Sequence, residues 1–436
     1  MRNLQNIGNQ IAKSQYVNVE ISNTAGLESI MTDVAVEGVA LDNESAMHAD
    51  LGNVIASLEN IAEQAAASIN DGGLDRQAAG ILEVAVESHL NRVGLSASDA
   101  MVSIESFGGS STQLEATQVS VEAIKDKAKE LWAYLVKKFK EARQKIFAWF
   151  KKIFSGAAML KKRAEGLAKT AVEKKGTKKD DVEAIELGAY GKALMGTDGT
   201  FKVSELAAGV KTFSTAATNL YGNNAKRVTD FAADVASIMD GVAKASKEDL
   251  EGTEVVKFVS GTKVMGKEVL KQLKGDYSSD TFLGGKVFVH GTPIAASDVT
   301  SLKSALDKAT DEFTFENDEA PKFKEDQTFD ALKPGEVKDI AENVVALAEE
   351  IISFESDYFK HAKNLEAADK AAEGLAKALD KVSLGSAGKA ADKICAALYS
   401  TAQRANNQPV NGFTSSALAS AKAALDVCDK SLGQFD

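Results

Sequence analysis

Apolar side chains recur every three or four positions over much of this chain, which is the spacing of an amphipathic α-helix. The longest stripe comprises Ile124, Ala128, Leu131, Leu135, Phe139, Ala142, Ile146, Phe150 and Ile153. Gly156 is expected to bend or end this helix, and a second, basic helix is expected over 161–179. All 4 prolines lie beyond residue 292, so the strongest helix breaker is missing from most of the chain.

The same spacing predicts helices before and after this stripe. In the first part of the chain it indicates Leu51 to Ile69 and Ile81 to Val86. Further on it predicts 180–195, 203–221, 223–245, 263–274, 297–312, 335–382 (with a bend at Gly374), 387–405 and 414–432. Residues 281–289 contain Gly284-Gly285 between apolar runs and predict a short hairpin. The fold class is therefore mainly α, a helical bundle with one small β-hairpin.

Charge divides the chain into three unequal segments. Residues 1–122, called the leader below, hold 4 basic and 17 acidic side chains, a net charge of −13. Residues 123–179 hold 18 basic and 5 acidic, a net charge of +13, and residues 180–436 carry 29 basic and 41 acidic. We therefore expect an acidic leader, a cationic helical segment and a mostly helical C-terminal domain. The first two charges nearly cancel, as in a leader that shields a basic segment until it is removed.

The composition of the leader predicts a loosely structured propeptide. It contains two aromatic residues, Tyr16 and Phe107, and breaks at Asp71-Gly72-Gly73 and Gly108-Gly109. A segment with so few large side chains is expected to build a poor core.

A tripeptide recurs in the leader: a small residue, an aliphatic residue, then Glu. Of the 22 glutamates after residue 122, two end such a tripeptide. Six of the leader's 11 glutamates do so: Glu28, Glu37, Glu59, Glu87, Glu105 and Glu122. The last copy lies at the charge switch between Glu122 and Ala123. Chance among common helix residues would not concentrate the copies there, so we interpret them as protease sites, with accessible backbone expected near Gly and Ser.

The segment of about residues 80–155 resembles the internal head proteins of giant tailed bacteriophages. The similarity rests on Ser103-Ile104-Glu105, Ser120-Val121-Glu122 and the Lys-, Trp- and Phe-rich helix that follows. In that family a prohead protease removes acidic propeptides after Glu in a small-x-Glu context. The resemblance implies cleavage at Glu37, Glu87, Glu105 and between Glu122 and Ala123, location inside the capsid, and ejection with the DNA as a further option.

The cationic helical segment has three interpretations. Its aromatic and basic side chains could contact packaged DNA through phosphates, or a host membrane with lysines reaching the head groups. It could equally pack against the rest of the chain or a second copy. The candidate contact residues are Trp132, Lys137, Lys138, Lys145, Trp149, Lys151 and Lys152.

Catalytic, cofactor and metal sites are not apparent in the sequence. Cys395 and Cys428 lie on apolar helix faces and are expected in the core, with no disulfide framework. The histidines (His48, His89, His290 and His361) have no partner at metal-ligand spacing. The acidic run from Glu312 to Glu319 lacks the order of an EF-hand loop. We expect a non-enzyme without cofactor or metal.

These observations predict a structural internal head protein, made in the host cytoplasm as a precursor and cleaved after Glu by the prohead protease. Other head proteins are expected partners, and self-association stays open. The alternatives are a membrane-active effector or toxin that uses the cationic aromatic helix, a scaffold that leaves the head, and an enzyme with a site in residues 180–436.

Overall fold

A computed structural model describes most of the helical part of the chain. The described residues are 24–96, 100–109, 111–174, 176–179, 184–188, 191–196, 198–221, 232–233, 235–237, 239–240, 281–289, 314–317, 327–379, 399 and 408–436. The helices predicted over 263–274 and 297–312, together with His290 and Cys395, lie outside them, as does nearly all of 223–245 and 387–405.

Helices dominate the described residues, which confirms the mainly α fold class. The helices are α1 (Thr24–Ala67), α2 (Arg76–Arg92), α3 (Gln113–Glu173), the one-turn α4 (Gly191–Leu194), α5 (Leu206–Asn219), α6 (Pro334–Leu379) and α7 (Gln408–Leu432). The strands are β1 (Ile185–Glu186), β2 (Lys286–Val289), β3 (Thr314–Asn317) and β4 (Thr328–Phe329), paired antiparallel as β1 with β4 and β2 with β3.

Helix α3 is the central element, and it is longer than predicted. It begins at Gln113, ten residues before the charge switch, and runs through Gly156 to Glu173. The helix therefore does not end at Gly156. A Cβ there would lie 3.4 Å from Cγ2 of Ile30 and 3.8 Å from Sδ of Met31, so this glycine gives α1 room for close approach. Interior glycine costs a helix about 1 kcal/mol relative to alanine, which continued burial on both sides offsets.

The leader is more ordered over residues 24–122 than its composition predicts. Helix α1 packs along α3 and places a stripe of aliphatic side chains in the core: Leu27, Met31, Val34, Leu41, Leu51, Val54, Ile55, Leu58 and Ala62. The composition was misleading because α1 needs no aromatic residues of its own. Trp149, Phe150 and Phe139 of α3 supply the large side chains of the shared clusters.

The three charge segments share their buried interior. One cluster joins Leu27 of α1, Trp149 of α3 and Phe413 of α7, together with apolar side chains of α5 and α6. A second joins Leu58 of α1 and Leu135 of α3 to Ala368 and Ala372 of α6 and to Tyr399. The division at residues 122 and 179 is therefore one of charge, and the described residues on both sides pack together.

Four local predictions differ in detail. The helix predicted over 180–195 is wrong in its described residues, because Ile185 buries its side chain in β1 and Gly188 takes a φ of +54°, leaving only α4. Helix α6 continues through Gly374, and α7 begins at Gln408 with Pro409 in its first turn, where proline is tolerated. The tight turn at Gly284–Gly285 is present, but β2 takes β3 as its partner.

Candidate processing sites and basic helix

The six small-aliphatic-Glu copies lie in different local structures. Those ending at Glu28, Glu37 and Glu59 belong to α1, the one ending at Glu87 to α2 and the one ending at Glu122 to α3. The copy ending at Glu105 is the exception, since it lies in the segment between α2 and α3. Proteases bind their substrates as extended chain, so a copy in an α-helix must unwind before it is cut.

Glu105 lies in a short surface turn. Residues Ile104–Phe107 form one turn of 3₁₀ helix, preceded by Ser103 with φ −52° and ψ 137°. The backbone N–H of Glu105 donates a 3.4 Å hydrogen bond to the Ser103 hydroxyl, and both side chains are exposed. Phe107 is fully buried beneath the turn and anchors its far end. The glutamate and the small residue that precedes it by two are thus presented to solvent on an irregular backbone.

The bond between Glu122 and Ala123 lies inside α3, nine residues beyond its start. Glu122 itself is exposed, but Ser120 and Val121 are buried. The N–H of Val102 donates to the Ser120 hydroxyl at 3.4 Å, so the segment that carries Glu105 covers this copy. One turn earlier, the Thr117 hydroxyl accepts a 2.8 Å hydrogen bond from the N–H of Leu74.

The two tryptophans of the basic helix point into the core. Trp132 donates through Nε1 to the carbonyl oxygen of Ala372 in α6 at 3.2 Å. Trp149 is fully buried and donates to the carbonyl oxygen of Val34 in α1 at 2.8 Å. In the described structure these side chains pack within the chain, and their contact with DNA or membrane stays a prediction.

Acidic side chains of the leader lie against two of the candidate lysines. Lys145 Nζ is 2.9 Å from the Glu44 carboxylate. Lys152 Nζ is 2.6 Å from the carboxylate of Glu37 and 3.3 Å from that of Asp33. The hydrogen bond to Glu37 raises the pKa of Lys152 above its usual value. A predicted cleavage residue, Glu37, thus pairs with a predicted contact lysine.

The other candidate lysines lie beside a carboxylate of α3 itself or face solvent. Lys138 Nζ lies 2.8 Å from Glu141 and 5.3 Å from the ring centre of Tyr134. Lys137 reaches the same carboxylate at 3.9 Å, and Lys151 is exposed. Lys137 and Lys151 thus form the exposed basic part of this face of α3, whereas Lys138 is half-buried.

Metal-binding clusters of His, Cys, Asp or Glu are not found among the described residues. His48 is buried with its ring 4.7 Å from that of Phe139, and burial lowers its pKa. Cys428 is a buried thiol whose pKa is raised to about 12 by burial. The part of the chain that the structure describes also has no helix long and apolar enough to span a membrane.

Arg143 is one of the buried polar groups that sequence reasoning missed, and it pairs with Asp369 of α6. A signal was present, because Arg143 follows Phe139 by four positions and precedes Ile146 by three, on the apolar stripe itself. A charged residue at such a position needs a buried partner.

Comparison with known proteins identifies the family. No curated protein and no solved structure matches the chain. The family model of the phiKZ-like phage internal head proteins matches residues 23–430, which include α1 to α6 and all but the last two residues of α7. The chain therefore belongs to the phiKZ-like phage internal head proteins, structural components of the virion that lie inside the capsid.

Proposed function

We propose that this internal head protein is made as a precursor and that a prohead protease removes its leader after Glu during head maturation. Residues 123–436 then remain in the capsid. They hold 47 basic and 46 acidic side chains, a net charge of +1 in place of −12. The protease and the other head proteins are the partners of the precursor.

The observation that carries this proposal is the pairing of leader acids with lysines of α3. Glu44 and Glu37 neutralise Lys145 and Lys152 from a segment rich in small-aliphatic-Glu tripeptides. Removal of the leader would free both ammonium groups beside the exposed Lys137 and Lys151. Before processing, the acidic leader causes the protein to be repelled by packaged DNA. After processing, the protein would present a basic face to that DNA.

Among the six copies, the geometry favours Glu105 for the first cut. Its turn is exposed and irregular, whereas the copy ending at Glu122 holds Ser120 and Val121 in a buried helical face. Cutting after Glu105 would also free the segment that carries Val102, whose N–H donates to the Ser120 hydroxyl and so covers the copy ending at Glu122. The Glu122–Ala123 bond is therefore proposed as a later cut.

Mass spectrometry of purified particles tests this function directly. Peptides from mature heads should begin at Ala123, and peptides from the leader should be nearly absent. A time course with isolated protease should yield the Glu105 end before the Glu122 end. Glu105→Gln should delay both cuts, while Glu115→Gln, outside a tripeptide, should change neither. An intact leader in mature heads would refute the proposal.

DNA is the partner that we propose for the uncovered basic face. Lysine contacts with phosphates release counterions, so binding should weaken steeply with salt and show little sequence preference. The processed chain should bind duplex DNA at low salt more tightly than the precursor does, and Lys145→Gln with Lys152→Gln should reduce that difference. Equal binding by the two forms would contradict a covering role for the leader.

The membrane-active alternative requires the same helix to expose side chains that are now buried. Trp132 and Trp149 would have to leave their buried hydrogen bonds to reach lipid. It predicts leakage of liposomes by residues 123–155 alone and no trimming that depends on Glu. The packing of both indoles is the reason we place this alternative second.

A further inference from the structure

Helix α1 holds the leader to the rest of the chain along its whole length. Its buried side chains divide between the two clusters, Leu27 to Leu41 in the first and Leu51 to Ala62 in the second. The polar contacts follow the same line. The Trp149 indole donates to Val34, Lys152 and Lys145 bind Glu37 and Glu44, and Lys422 of α7 lies 3.5 Å from Glu28.

The turn that carries Glu105 lies outside this interface. It follows α2, so a cut there breaks one peptide bond and leaves the contacts of α1 with α3 and α7 in place. The cut chain is then a complex of two pieces, in which α1 acts as an amphipathic helix seated on an apolar surface. Cleavage and removal of the leader are therefore separate events.

We propose that α1 stays bound to α3 after the chain is cut at Glu105, and that further cuts within α1, first after Glu37, release it. The second half of this proposal rests on the proposed function. Release by several cuts gives the repeated tripeptides a physical purpose, since a single site would suffice to cut the chain but not to remove α1 from the surface of α3.

The position of Glu37 suits it to this role. A cut there separates Leu27, Met31 and Val34 from Leu41 and the buried apolar residues that follow it. Pieces that bind separately lose the effective concentration that one continuous helix provides. With a cut after Glu28 as well, the intervening piece has only nine residues, below the ~12–15 needed for a helix of marginal stability.

Access also distinguishes Glu37 from the other copies in α1. The middle residue of its tripeptide, Val36, is 64% exposed, whereas Leu58 and Leu27 at the matching positions are buried. Gly38 follows Glu37 directly and lowers the cost of unwinding the helix there. The copy that divides the interface is thus also the one that faces solvent.

An engineered cut tests the first half without the phage protease. A recognition sequence for a site-specific protease is inserted between Gly108 and Gly109 of the full chain, which is then cut and passed over a size-exclusion column. The two pieces should co-elute in buffer and separate in urea. Leu58→Asp, which places a charge in the interface, should make them separate in buffer. Separation of the unsubstituted pieces in buffer would overturn the proposal.

Treatment with prohead protease tests the second half. In a chain with Glu28→Gln, Glu37→Gln and Glu59→Gln, the cut after Glu105 should occur, but the piece that carries α1 should remain bound in native mass spectrometry. The matched control, Glu63→Gln with Glu83→Gln, alters two glutamates of the leader outside the tripeptides and should lose the leader as the unsubstituted chain does.

The outcomes separate the two proposals. If the unsubstituted chain is not cut at all, the proposed function fails. If it is cut and the triple variant sheds its leader equally fast, the function stands and the role of Glu37 fails. Glu37→Gln also removes the ion pair with Lys152, which by itself weakens the binding of α1 to α3. Retention of the leader in the triple variant would therefore be strong support for release by cleavage within α1.

Discussion

The ion pair between Arg143 and Asp369 predicts a large loss of stability when one partner is removed. Nη1 of Arg143 lies 2.7 Å from Oδ2 of Asp369, and Nη2 lies 2.8 Å from Oδ1. The Tyr399 hydroxyl donates to the same Oδ1 at 2.7 Å. Burial raises the pKa of Tyr399 well above its usual value, so the hydroxyl keeps its proton. One carboxylate therefore serves two buried donors on separate elements.

Asp369→Ala would leave the guanidinium of Arg143 buried without this carboxylate. Removing one partner of a buried ion pair costs about 3–5 kcal/mol, because the remaining charge is not compensated. The free energy of unfolding should fall by that amount, measured by urea denaturation with far-UV circular dichroism at an unchanged slope. Replacing both partners, Arg143→Met with Asp369→Leu, should restore part of the loss, because the charge is removed but the buried Tyr399 hydroxyl still lacks its acceptor.

A surface pair between the same two helices provides the control. Lys140 of α3 binds Glu373 of α6, and both side chains are more than two fifths exposed. Exposed pairs contribute about 0–1 kcal/mol, so Glu373→Ala should change stability little. The reasoning fails if Asp369→Ala lowers the free energy of unfolding no more than Glu373→Ala does. It fails as well if the double replacement lowers it as much as Asp369→Ala alone, because burial of the charge would then not be the cause of the loss.

Three further predictions, two of them with a control substitution, test the packing of the leader. Leu58→Ala should lower the free energy of unfolding by about 2–5 kcal/mol, whereas Val36→Ala, at a solvent-facing position, should stay within about 0.5 kcal/mol; urea denaturation measures both. Burial lowers the pKa of His48, so its neutral form stabilises the fold above the ordinary His pKa, and this stability is lost as the pH falls through the pKa of His48 in the folded protein. The free energy of unfolding of His48→Asn should therefore fall less between pH 7.5 and 5 than that of the unsubstituted chain, in the same assay. Gly73→Ala should lower the melting temperature, because φ is +94° and a Cβ would lie 2.7 Å from the carbonyl oxygen of Gln113; Gly72→Ala, at φ +96° with open space, should cost less.

The sequence predicted what depends on local spacing. The stripe through Leu131, Leu135 and Ile153 is buried as its period required, and the family assignment followed from the tripeptides and the lysine-rich helix. Helix ends were less predictable, since Gly156 lowers the local helix propensity but here allows α1 to approach closely. Propensity is a local quantity, and a partner helix can override it.

Partners distant in the sequence were not predictable. Lys145 and Lys152 were expected to be available for DNA or lipid, yet their partners Glu44 and Glu37 lie 101 and 115 positions earlier. The opposite charges of the two segments indicated an attraction between them. Which lysine meets which acid depends on the rotation of α1 against α3, which the buried aliphatic stripe sets. The open or covered state of each basic residue is thus a consequence of apolar packing.

The two tryptophans can distinguish the removable interface of α3 from the retained one. Trp149 bonds to Val34, which leaves with the leader, whereas Trp132 bonds to Ala372 of α6, which stays. In a chain with Trp132→Phe, release of α1 should shift the fluorescence of Trp149 to longer wavelength, because its indole becomes exposed to water. In a chain with Trp149→Phe, the shift should be much smaller. Equal shifts would mean that the core of α3 and α6 rearranges when the leader departs, and the remaining protein would not keep the packing described here.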